Sequence, residues 1–249
     1  MSKIGKELSN SYSTGGGGVH FENRVQSSFV VLMLTGGFSP CIPTWPIKEI
    51  KLQGKYLNFE TDDLIIYTKE PGSGREAKLL GQIKHSINIT KKDKVFGEVI
   101  QAAWNDFNNK QLFNEQTDEI ALITGPLSAV DTEHVRALLN QARHSKDAID
   151  FINRVSIAKF TSNNQRAKLD VFKAHLKNAN SSEDLTDDQL WRFLKKFHLL
   201  IYDLDIKGVT LSLLHSLIGQ YSYNRIDEIL ALIEKDVTYK GENAGTITL

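Results

Sequence analysis

Cysteine is almost missing from this 249-residue chain, which carries Cys41 alone. A single thiol excludes an internal disulfide framework and every zinc site built from several cysteines, and it points to a reducing cytoplasm. A surplus of one charge is also missing, because Lys+Arg and Asp+Glu both number 30. No overall field draws the molecule to nucleic acid, so any basic surface must be local. The apolar runs are far too short to span a bilayer, and no N-terminal segment has the layout of a signal peptide. These absences lead to the expectation of a soluble, cytoplasmic protein with no membrane partner. The apolar content that remains, 41% of residues, suffices for one large core or two small ones.

The opening 14 residues are polar and Ser-rich, and the composition predicts a flexible arm there. After Gly15 to Gly18, the residues Phe21, Val25, Phe29 and Leu32 recur at helical spacing, and Gly36-Gly37 is expected to end that helix. Pro40, Pro43 and Pro46 mark an irregular connection, and Ile47 to Gln53 alternates as a strand. Two more strands follow, Thr61 to Tyr67 and Lys78 to His85, joined by a Gly-rich turn. Lys91 to Asn108 has a helical pattern, and Glu119 to Gly125 reads as a continuously apolar strand buried on both faces. The pattern beyond is mainly helical: a helix capped by Asp131 or Thr132, others at 146–157, 164–178, 208–221 and 224–236, and one capped by Thr186. Phe197 to Asp203 fits a strand or a continuation of the preceding helix. The expected organisation is an arm over 1–14, an α/β core over 15–130, and a helical extension over 131–249 that continues into further domains of a longer protein.

The residues that could carry chemistry sit on the two central strands. Period-2 alternation puts Gln82 and Lys84 on one face of their strand and Gly81 and Ile83 on the other. Asp63, at the head of the preceding strand, can meet Lys84 there. A carboxylate, an amide oxygen and an ammonium at a sheet edge suit a divalent cation and a phosphate. Asp63 would be the charged ligand, with the Gln82 side-chain oxygen and the Ile83 carbonyl as neutral ligands. Glu22 could add a carboxylate from the first helix, and Lys84 would orient water or hold phosphate. An Asp–Lys ion pair between neighbouring strands, with Gln82 merely solvated, explains the same spacing. Lys91, Lys92 and Lys94, with His85, could contact phosphates, or could be a solvated helix start.

The order of Phe21-Glu22, Asp62-Asp63-Leu64 and Gln82-Ile83-Lys84 resembles the PD-(D/E)xK nuclease superfamily in its Q-x-K, Mrr-like variant. The chain is similar in particular to the double-stranded-DNA endonuclease domain associated with CD-NTase signalling systems and found at the N-terminus of Avs-type antiviral STAND NTPases. Ile120 to Pro126, Leu138 to Ser145 and Leu190 to Phe197 extend the resemblance over most of residues 15 to 235. It implies a restriction-endonuclease-like core, a central mixed sheet flanked by helices, with a mainly helical C-terminal extension. It also implies a Mg²⁺-dependent endonuclease, with Mn²⁺ as a substitute, that cuts double-stranded DNA as the effector of an antiphage system. In that reading Asp63, Gln82, Lys84 and Glu22 are catalytic, and Asp63, Gln82, Ile83 and Glu22 hold metal. Lys84, His85, Lys91, Lys92 and Lys94 touch DNA. A homo-oligomer, dimer or tetramer, and an attached sensor or NTPase module would complete the system. Gln82 stands where the family more often has an acid, which removes one negative charge from the site.

Other motifs fail on their own chemistry. No Gly-Lys-Ser/Thr follows Gly15 to Gly18, so there is no nucleotide-hydrolysing loop in that segment. His20-Phe21-Glu22 lacks the cysteine pair of a zinc deaminase, and Gly72-Ser73-Gly74 lacks the strand-to-helix elbow of a serine nucleophile. The readings that compete with the nuclease are a catalytically silent helical interaction or oligomerisation module and a stand-alone restriction endonuclease. No DNA-reading helix stands out for the latter.

Overall fold

The computed structural model describes residues 17–204 and 208–249. The arm expected over 1–14 lies outside the described residues. Among the described residues six strands form one sheet: β1 (Ile47–Leu52), β2 (Leu64–Lys69), β3 (Glu76–Lys84), β4 (Glu119–Thr124), β5 (Phe197–Ile201) and β6 (Thr246–Thr248). Their order across the sheet is β5-β4-β3-β2-β1-β6. One half is antiparallel, β6 on β1, β1 on β2 and β2 on β3, and the other is parallel, β3 with β4 and β4 with β5. β3 belongs to both halves, so the sheet is mixed as expected.

Among the described residues eight α-helices cover the two faces: α1 (Gly17–Leu34), α2 (Lys94–Asn108), α3 (Ala129–His144), α4 (Ala148–Ser156), α5 (Asn163–Ala179), α6 (Asp187–Lys196), α7 (Val209–Gly219) and α8 (Ile226–Glu242). Strand alternation sends Ile65, Leu80, Ile120 and Leu122 into a core shared with Phe96, Phe107, Leu139, Phe172 and Phe193 of α2, α3, α5 and α6. Leu64, Ile66, Leu79, Ile83 and Ile123 point the other way, into a core with Phe21, Val25 and Phe29 of α1, Leu214 and Ile218 of α7, and Leu230 and Val237 of α8. The first core covers β2 to β5, and the second runs the length of the sheet, from Leu200 of β5 to Ile247 of β6. The architecture is therefore a three-layer α/β fold whose restriction-endonuclease-like character is not carried by any of these contacts.

The second half of the chain is not helical throughout. β5 and β6 both come from beyond residue 131 and complete the sheet at its two edges. Phe197 caps the C-terminus of α6 in an extended conformation and is the first residue of β5, so the ambiguous stretch after Lys196 resolves as a strand. Parallel pairing of Ile120 with Phe197 and Thr124 with Ile201 fixes it.

Local capping explains where several elements begin. Thr186 caps α6 with a full capping box through Gln189, and Ser162 and Gln165 do the same for α5. α3 begins earlier than expected: Ser128, not Asp131 or Thr132, accepts from the Asp131 N–H. α2 begins at Lys94 behind the Asp93 cap, which leaves Lys91 and Lys92 outside it. β2 likewise starts at Leu64, because the buried Asp106 carboxylate of α2 accepts from the N–H groups of Glu60 at 3.0 Å and Thr61 at 2.7 Å. Those donors are taken out of any strand ladder, and the bend they create presents Asp62 and Asp63 at the mouth of β2.

Candidate cation and phosphate site

Register brings the central residues together. Leu64 pairs with Gly81, so one step further along the antiparallel ladder puts Asp63 across from Gln82. Three donors from the end of β3 converge on Asp63 Oδ2: the Ile83 N–H at 2.7 Å, the Lys84 ammonium at 3.3 Å, and the Gln82 amide in a short contact. The N–H and C=O of one extended residue project from the same strand edge, so the Ile83 carbonyl shares this side of β3. Asp63 Oδ1 accepts no hydrogen bond among the described residues, and the side chain is 16% exposed while that of Lys84 is 33% exposed. The pair is thus reachable by a ligand.

Glu22 enters from α1. One turn on, Gln26 donates through its single amide nitrogen to Glu22 Oε1 at 3.1 Å and to the Asp63 backbone carbonyl at 2.7 Å. Burial, and then the Asp63 charge, push the Glu22 carboxyl from the ordinary 4.5 up to about 7, against the pull of Lys84. Asp62 is raised for the same two reasons, in the same order. Sequence reasoning placed Asp63, Gln82, Lys84 and Glu22 in one site, and the structure brings these four together. It passed over Gln26, whose i,i+4 spacing from Glu22 was the available signal.

The expected phosphate-binding lysines lie elsewhere. Lys91, Lys92 and Lys94 line an open groove of about 540 Å³ between α2 and α5, together with His175, and none of the four clustered residues lines it. His85 follows Lys84 and packs edge-on against Phe21, ring centroids 5.2 Å apart. It opens a small cleft with Arg24, Gly125 and Tyr202 at the carboxyl ends of β3, β4 and β5. Ligands of open α/β sheets collect at that end.

The donor chemistry fits one hard cation rather than two. Among the described residues no group of three or more His, Cys, Asp and Glu side chains is set to hold a metal. What is present is Asp63, a second carboxylate that titrates near neutrality, an amide and a backbone carbonyl. Mg²⁺ is satisfied by one or two carboxylates when waters and phosphate oxygens complete its shell. Lys84 then lies where it can meet a phosphate oxygen.

No protein-family model and no curated protein sequence matches this chain. Among solved structures, it is similar to the Acinetobacter baumannii Cap4 SAVED/CARF-domain containing receptor with the cyclic trinucleotide 3'3'3'-cAAA, at 9% identity and a TM-score of 0.52 over 93% of this chain. The same receptor without that ligand, and with 2'3'3'-cAAA, gives 9% identity and a TM-score of 0.51 in each case. The chain spans 44% of the length of the first of these receptors, and a likeness at this identity is one of fold.

These comparisons correct the family reading. The resemblance to the PD-(D/E)xK superfamily and to the CD-NTase-associated endonuclease domain is replaced by a likeness to receptors described by a SAVED/CARF domain and a cyclic oligonucleotide. The assignment as a double-stranded-DNA endonuclease effector falls with it. The physical reason is that a hairpin with an acid opposite a Q-x-K strand end arises from register alone. No described helix is long and apolar enough to cross a membrane.

Proposed function

We propose that the chain is a ligand-recognising module of a cyclic-oligonucleotide receptor in antiviral defence, and that its Asp63 cluster takes a phosphodiester through a divalent cation. The observation that carries this reading is the convergence of Asp63, Glu22, Gln82 and Lys84 at the open end of β3. Asp63 Oδ1, Glu22 and the Gln82 amide oxygen would hold Mg²⁺ or Mn²⁺, with the Ile83 carbonyl beside them. Lys84 would neutralise a phosphate oxygen. The cyclic trinucleotide named with the Acinetobacter receptors is a ligand of that kind. The longer chain of those receptors supports a further module beside this one.

The test is to add 3'3'3'-cAAA to the full chain with Mg²⁺, Mn²⁺ or EDTA, beside Asp63→Asn and Lys84→Ala, and to read binding by calorimetry. Metal-dependent binding that weakens in both variants supports the reading. No binding under any condition reduces the cluster to an interstrand ion pair and overturns it.

A further inference from the structure

Gln26 is 1% exposed, lies in the middle of α1, and has an amide oxygen with no hydrogen-bond partner among the described residues. Leaving a buried amide oxygen unpaired is a standing cost to the fold, because water satisfied that oxygen in the unfolded chain. A side chain kept at this position only to fill space would be apolar. The other end of the amide explains its presence: one nitrogen donates both to Glu22 Oε1 and to the Asp63 carbonyl. Those two acceptors sit on different elements, α1 and the mouth of β2. Glu22 and Asp63 repel one another, and the shared donor ties them together against that repulsion.

We infer that Gln26 is a positioning residue that sets the separation of the Glu22 and Asp63 carboxylates for a divalent cation. The inference rests on the cation reading of the cluster. Gln26 itself touches no ligand; it fixes the rotamer of Glu22 through one hydrogen bond and the bend before β2 through the other. Partners of this type, one contact removed from the ion, typically change metal affinity by about 10–100-fold when removed.

The experiment compares wild type with Gln26→Met, which keeps length and volume but has neither the donor nor the orphaned oxygen. Mn²⁺ is titrated by calorimetry at pH 8, and thermal unfolding is followed without metal. The expected result is a Tm equal to or above that of wild type, with Mn²⁺ affinity weakened by about 10-fold or more. A role confined to packing gives the reverse, a lowered Tm with unchanged affinity, and overturns the inference. Gln26→Leu is measured in the same way should the Met variant not fold. Wild type that binds no Mn²⁺ overturns the cation reading itself, whereas wild-type binding matched by both variants overturns only the role of Gln26.

Discussion

Glu22 is the residue whose titration reports on the cluster. Its folded-state carboxyl lies at about 7 and its ordinary value at 4.5, so between those pH values the folded chain holds a proton that the unfolded chain releases. Stability from this group is complete below about 4.5, falls as pH rises through the window, and levels off above 7. Glu22→Gln, neutral throughout, lacks that slope. Its unfolding free energy above pH 7 should exceed that of wild type by at most about 3 kcal/mol, and by less after solvent screening; denaturant titrations at pH 4.5, 6 and 8 measure it. Cation binding needs the carboxylate, so Mn²⁺ affinity should rise with pH through 7 in wild type. The same gain should be missing in Glu22→Gln. Cys41 makes a contrasting residue-scale prediction. Desolvation pushes the thiol of this half-buried residue up to about 12, so at pH 8 iodoacetamide should label it far more slowly than an ordinary exposed thiol, as mass spectrometry would show.

At the scale of elements, the site depends on bends that flank strands. Asp106 holds the turn before β2 by accepting two backbone N–H groups from a nearly fully buried position. Asp106→Ala would strand both donors, and thermal or urea unfolding should show a loss of about 3 kcal/mol. Gly125 closes β4 so near the end of β3 that a Cβ there would lie 2.7 Å from the His85 carbonyl oxygen. Gly125→Ala must therefore shift backbone next to Lys84, and phosphodiester binding should weaken more than stability falls. Neither constraint was legible in the sequence, because each joins residues some 40 positions apart through backbone atoms that carry no residue identity. The strands themselves were legible: the alternation from Lys78 to His85 located β3, and the apolar run from Ile120 located β4. The start of β2 was set three residues too early because nothing local betrays the donors taken by Asp106. The cap of α3 was misplaced because Ser128, Asp131 and Thr132 are all competent caps and only the incoming loop selects among them. The Asp63, Gln82 and Lys84 grouping followed from period-2 alternation alone, whereas the family attached to it did not follow, since register produces the same grouping in unrelated hairpins.

For the whole molecule, the sheet unites the two ends of the described chain. β6 pairs with β1, Ile247 opposite Ile50, and α8 packs beside α1. The helical second half is thus a cover for both faces plus a strand for each edge. A chain ending at Ala244 would lack β6 and leave the outer edge of β1 unpaired. Exposed edges recruit other chains, so size-exclusion chromatography should show concentration-dependent association of that variant. The pairing also has a consequence for synthesis. β1 emerges early and its partner emerges about 195 residues later, which at ~5–20 residues per second is a wait of roughly 10–40 s. Throughout that interval the nascent sheet has an open side, so the Lys48, Glu49 and Lys51 side chains along β1 act as a charged guard on a polysome, where neighbouring copies of the same strand are at their most crowded.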